Sequence, residues 1–161
     1  MKKIFSCCSI FLMFTLAFNV TTLTAVAQTD GIQQTEIEYM DDGSYFENTI
    51  YIEKPETTLY STEKIRKGHR TVTHYSAKDV KLWSITVNGT YSYNGTTVKC
   101  VSCSSSKEIF KKTWKVNITS TTKSGNCAST TAQGKHYTNG KVDKTITKTV
   151  SLRCKSNGTL Y

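Results

Sequence analysis

The chain is 161 residues long, 37% hydrophobic and 11% aromatic, with one proline and a formal net charge of +9. That length and apolar fraction exclude a large multi-layer enzyme, a polytopic membrane protein and a coiled coil, and leave a small β-rich domain with a thin core. The charge is divided along the chain. Residues 28–63 hold nine carboxylates and one base, whereas residues 64–161 hold eighteen Lys/Arg against Asp79, Glu108 and Asp143.

Lys2 and Lys3 precede an uncharged stretch whose apolar centre runs from Ile10 to Val20, and Ala25-Val26-Ala27 supplies a small-x-small triplet. This pattern predicts a signal peptide over residues 1–27, cleaved after Ala27, and hence a secreted, extracellular mature chain with no transmembrane segment. An uncleaved anchor is the competing reading, and the shortness of the apolar centre and its interruption by Thr15 and Asn19 speak against it. Cys7 and Cys8 precede the apolar centre, where lipidation does not occur. The end of the chain, Asn157 to Tyr161, has no apolar tail or sorting signal, so release is expected.

Residues 28–69 read as an acidic arm and linker, partly disordered. The first half, Gln28 to Asp42, has few large apolar residues with which to order itself. Residues 44–53 alternate in the manner of a short docking strand. From Pro55 the chain reads as a linker or frayed helix that ends in the basic run Lys64-Ile65-Arg66-Lys67-Gly68-His69-Arg70. Lys64, Arg66, Lys67 and Arg70 are the candidate contacts for an anionic ligand, or a counter-patch for the acidic arm. The plainer account is a solvated charged stretch.

Residues 70–161 read as an antiparallel, immunoglobulin-like β-sandwich of about six to eight strands. Trp83, Ile85, Val87, Gly89, Tyr91 and Tyr93 alternate with polar residues, the period of a half-buried strand, and Asn94-Gly95 suits a two-residue hairpin. That loop pairs Tyr91 with Val98 and Gly89 with Cys100, and turns Cys103 to the opposite face. Trp114, Val116 and Ile118 form the next inward set, and Lys123 to Asn126 a turn. Ala128, Thr130 and Ala132 are small enough to face bulky neighbours. In the last strand Val150 and Leu152 face inward, but Lys144 and Lys148 share their parity. A bulge, or an edge strand with inward lysines that block edge-to-edge pairing, accommodates them. A tight Asn139-Gly140 turn mismatches the strand before it, so an irregularity is expected between residues 133 and 141.

Four cysteines remain after the leader: Cys100, Cys103, Cys127 and Cys154. In a secreted chain they read as a disulfide framework. Strand parity favours Cys100–Cys154 on the inner faces, with Cys103–Cys127 outside. The alternative, a redox or zinc role for Cys100-Val101-Ser102-Cys103 with His136, lacks the helix start or the further ligands such sites need.

The chain resembles a family of small secreted β-sandwich proteins of unknown function from low-GC Gram-positive bacteria. The resemblance rests on Asp42-Gly43-Ser44-Tyr45, Leu82 to Val87 leading to Tyr91-Ser92-Tyr93-Asn94-Gly95, Cys100, Trp114-Lys115-Val116, Lys123 to Asn126, Val150 to Cys154, and Asn157-Gly158. It covers most of residues 41–161 and implies a fold, not an activity. Cys103 and Cys127 are additions to that pattern, which supports their pairing with each other.

No G-x-S-x-G, H-E-x-x-H, phosphate-loop or calcium-loop motif is present. His69, His74 and His136 are scattered, none with an acid at a telling spacing. The residues nominate no catalytic group, metal ligand or cofactor. The expected function is a non-catalytic extracellular binding module that contacts anionic surface polymers or glycans through its basic domain. The alternatives are a secreted enzyme whose site is invisible in sequence, and a basic domain masked by its acidic arm until proteolysis. Nucleic acid is disfavoured as a partner because Trp83, Tyr91, Tyr93 and Trp114, which could stack on bases, are expected inside. The sequons at Asn88, Asn94, Asn117 and Asn157 follow from an Asn/Thr-rich composition.

Overall fold

The computed structural model describes residues 31–53 and 63–161, so the predicted leader, residues 28–30 of the acidic arm and residues 54–62 of the linker lie outside the described residues. Eight strands form: β1 (Gly31–Tyr39), β2 (Tyr45–Ile52), β3 (Lys64–Tyr75), β4 (Lys81–Tyr93), β5 (Val98–Ile109), β6 (Trp114–Ser124), β7 (Cys127–Thr138) and β8 (Lys141–Arg153). They build a five-stranded sheet, β1-β2-β3-β4-β5, and a three-stranded sheet, β6-β7-β8. The expected all-β antiparallel sandwich is what forms. The two sheets pack as two layers, and each is a meander in connectivity.

The core follows from period-two alternation. Trp83, Ile85, Val87 and Tyr91 of β4 are fully buried, beside Phe46, Ile50 and Ile52 of β2 and Val72 and His74 of β3. The facing layer supplies Trp114, Val116, Ala128, Thr130, Ala132, Ile146, Val150 and Leu152. Small residues of β7 meet the bulk of β4: a Cβ added at Gly134 would stand 3.0 Å from the Trp83 ring. Val98 and Ile118, also expected in the core, are only partly buried, because β5 and β6 are edge strands.

Three features depart from the sequence reading. First, the β4–β5 loop has four residues, with Tyr93 opposite Val98. The Asn94 side-chain oxygen accepts from the Thr96 and Thr97 amides and the Thr97 hydroxyl, which stabilises the wider turn. A bulge then sets Tyr91 opposite Cys100 and Gly89 opposite Cys103, so both cysteines face inward. The added residue of the bulge reverses the parity. Second, the acidic arm is not disordered over Gly31 to Tyr39. It is β1, paired with β2 along its length, and the sandwich begins there rather than at residue 70. Third, the basic run is neither linker nor helix but the first half of β3. The irregularity expected between residues 133 and 141 falls at His136/Tyr137.

Candidate functional site

The basic surplus of the chain is concentrated in the smaller sheet. From Phe110 to Tyr161 there are ten Lys/Arg and one acidic side chain, Asp143, and these residues contain the whole three-stranded sheet. The carboxylates of β1 and its following turn meet that sheet along one open side of the sandwich. Glu38 pairs with Lys148 at 2.6 Å, Asp42 with Lys144, and Glu36 with Arg70 of β3 at 3.2 Å. The inward lysines of β8 thus have a partner that sequence reasoning missed. Lys148 also lies 4.5 Å from the centre of the Phe46 ring. The Lys144 ammonium, followed by the Ser44 hydroxyl, holds the Asp42 carboxyl well below the usual carboxylate range. On the other open side, Lys107 donates to the Val116 carbonyl, Lys123 to the Val101 carbonyl, and the Ser105 and Thr121 hydroxyls are bonded at 2.6 Å.

The outer face of the three-stranded sheet bears the exposed side of this basic surface. Strand register places Lys115, Lys135 and Thr145 in one cross-strand row, followed by Asn117, Gln133 and Thr147, then Ser120, Thr131 and Thr149. The rows continue with Thr122, Ser129 and Ser151, then Ser124, Cys127 and Arg153. None of these side chains is acidic. Lys115 stands directly opposite Lys135, an arrangement that costs stability when no anion lies near. The Lys115 ammonium also sits 4.8 Å from the centre of the Tyr137 ring. Hydroxyls pair across strands, Ser129 with Ser151 and Thr131 with Thr149, each at 2.9 Å. At the Arg153 end a shallow cavity of about 340 Å³ is lined by Thr122, Ser124, Cys127, Ser129, Ser151 and Arg153.

The basic run expected to contact an anion does not form such a surface. Arg66 is buried on the inner face opposite Tyr91, and Arg70 is committed to Glu36 and to the Ser151 carbonyl. Lys64 is exposed and Lys67, on the outer parity, half-buried. β3 is an interior strand of its sheet, so alternate bases must point inward.

One histidine does gain an acid. The ring nitrogen Nδ1 of His136 lies 2.7 Å from Asp143, whose other oxygen accepts from the Thr138 hydroxyl at 2.6 Å. These bonds, Thr138 foremost, hold Asp143 below the usual carboxylate range. The Asn139-Gly140 turn, both residues at positive φ, brings the three together and was the available signal. These bonds pin the hairpin. Among the described residues no group of three or more His, Cys, Asp or Glu is placed to hold a metal ion.

Cys100, Cys103, Cys127 and Cys154 gather at one end of the sandwich and are unbridged in this structure. The Cys100 amide donates to the Gly125 carbonyl and the Cys154 amide to the Asn126 carbonyl, so both flank one turn. Both are buried, whereas Cys103 and Cys127 are half-buried. Burial first, then the neighbouring thiols Cys103 and Cys127, pushes the Cys100 thiol up, and burial pushes Cys154 up to about 11. Thiols so raised are poor nucleophiles at neutral pH, the opposite of a redox-active C-x-x-C pair.

Comparison of the chain with protein-family models, with curated proteins and with solved structures finds no match.

Proposed function

We propose that this chain is a secreted, non-catalytic binding module of the small secreted β-sandwich family that its motifs resemble, and that it contacts anionic polymers or glycans at a cell surface. One observation carries the reading: on the outer face of the three-stranded sheet, the five cross-strand rows from Lys115–Lys135–Thr145 to Ser124–Cys127–Arg153 hold three bases and no carboxylate. A soluble surface ordinarily intersperses both signs, and a single-sign face on a rigid sheet attracts a polyanion. The module is closed, in this reading, by disulfides Cys100–Cys154 and Cys103–Cys127. The first joins two buried residues that flank one turn, and the second takes the half-buried pair that remains.

The test is sedimentation of the purified mature protein with isolated cell envelope across a salt series. Salt-reversible sedimentation without release of soluble fragments is expected, weakened by Lys115→Glu with Lys135→Glu and unchanged by Lys64→Glu. Failure to sediment at low salt sinks the proposal, and release of envelope fragments replaces it with an enzyme. The ion pairs of β1 favour a second component, in which the acidic arm covers basic groups. What it covers is Lys144, Lys148 and Arg70 on the inner side, so cleavage of the arm would uncover a different surface from the outer face.

A further inference from the structure

We infer that the cavity around Arg153 is the seat for an acidic sugar, and that a linear glycan with sparsely spaced carboxylates lies from it along β7 toward Lys115 and Lys135. This rests on the anionic-surface reading above and names the ligand class for the same face. The cavity's lining is one guanidinium, four hydroxyls and the sulfur of Cys127. A guanidinium holds a carboxylate by two parallel charge-assisted hydrogen bonds, and Ser and Thr hydroxyls both donate and accept, as sugar hydroxyls do. Arg153 is exposed, and its backbone is fixed on both sides. Its amide donates to the Tyr161 carbonyl, and its own carbonyl accepts from the Tyr161 amide.

From the Cys127 row to the Lys135 row is eight residues of strand, roughly 26 Å at ~3.3 Å per residue. Between these cationic ends the rows carry only Ser, Thr, Asn and Gln. Cations at the ends and hydroxyls or amides between them match a polymer that is mostly hydroxyl with occasional charge. A densely charged polyphosphate would be met by cations along its length, because neutralisation of each charge supplies its affinity. The face is built on paired strands, so its groups are ordered before the ligand arrives, and binding costs little conformational entropy.

The probes are a hyaluronan decasaccharide, which carries a carboxylate on alternate sugars, neutral dextran of similar length, and polyphosphate, each titrated calorimetrically into the mature protein. Hyaluronan should bind more tightly than polyphosphate, and dextran at least about tenfold more weakly, as the loss of a charge-assisted contact dictates. Arg153→Gln should weaken hyaluronan about tenfold, and Ser129→Ala with Ser151→Ala should weaken hyaluronan while sparing polyphosphate. Unchanged melting temperatures of these surface variants confirm that folding is intact. Absence of hyaluronan binding, tighter binding of polyphosphate, or indifference to both sets of substitutions overturns the inference. If those results come with envelope sedimentation intact, the glycan seat falls and the anionic-surface reading stands. If sedimentation is also absent at low salt, both fall.

Discussion

His74 carries a conflict that the sequence does not announce. It is fully buried, ringed by Phe46 at 4.7 Å, Trp114 at 5.2 Å and Trp83 at 5.4 Å between ring centres. Burial, and secondarily the Lys144 ammonium, pushes its pKa down to about 4, with Asp42 acting weakly the other way. The same imidazole in the unfolded chain takes a proton near 6.5. Between about 6.5 and 4 the unfolded state therefore binds more protons than the native state, and stability falls as pH falls. At ~1.4 kcal/mol per unit, the loss attributable to His74 is on the order of 3 kcal/mol by pH 4. Asp42, held low by Lys144, adds a loss in the same direction further into the acid range. Chemical denaturation at pH 7 and pH 4.5 should show a smaller acid-induced loss in His74→Phe than in the parent chain, and equal losses would dismiss this account.

At the level of the strand, β1 and β8 explain each other. Neither is apolar enough by itself: β1 offers inward Glu36 and Glu38, and β8 offers inward Lys144 and Lys148. Placed on facing edges of the two sheets, they neutralise each other. The same inward charges keep either edge from pairing with another chain. Exposed pairs of this kind contribute about 0.2–1 kcal/mol each and are screened by salt. Glu38→Gln should therefore speed hydrogen exchange of the β1 amides at low ionic strength, with the difference shrinking as salt is added. If exchange is unchanged at low salt, the pairs do not hold β1. Lys107, Lys123, Ser105 and Thr121 span the opposite side without a single backbone bond between β5 and β6. The sandwich is thus clasped on both flanks by side chains, through carboxylates on one and lysines and hydroxyls on the other.

For the whole molecule, the thin core makes the cysteine end decisive. Bonds Cys100–Cys154 and Cys103–Cys127 would each join β5 of the larger sheet to the smaller sheet, reinforcing the backbone bond from the Cys100 amide to the Gly125 carbonyl. Peptide mapping of the secreted protein without reductant should recover a linked Cys100–Cys154 peptide, with four hydrogens lost in total from the chain. Reduction should lower stability by roughly 2–5 kcal/mol. Four unmodified thiols in the secreted protein, or a Cys100–Cys103 link, would refute the pairing. All the described acidic side chains but Asp143 lie on the larger sheet and its turns, and the smaller sheet, where binding is proposed, is left basic.

Period-two alternation sufficed to read β4, the inward faces of β6 and β8, and the all-β class, because burial of one sheet face writes itself directly into apolar spacing. The Asn139-Gly140 turn was equally legible, since it needs two positive φ angles. The first half of the chain was not legible by the same rule. β1 pairs with the adjacent β2, but the charge partners of Glu38 and of Asp42 in the following turn lie more than a hundred positions away, so composition suggested disorder where a strand forms. The bulge that turns Cys103 inward left no mark either, because one added residue changes parity without changing composition. Charge content, the all-β class and the cysteine set were therefore determined by sequence alone. Which bases face solvent, which acids answer the inward lysines, and how Lys115, Lys135 and Arg153 come to share carboxylate-free rows of one face were decided only by the tertiary structure. Register and sheet pairing set those neighbours, and both depend on contacts that local sequence does not contain.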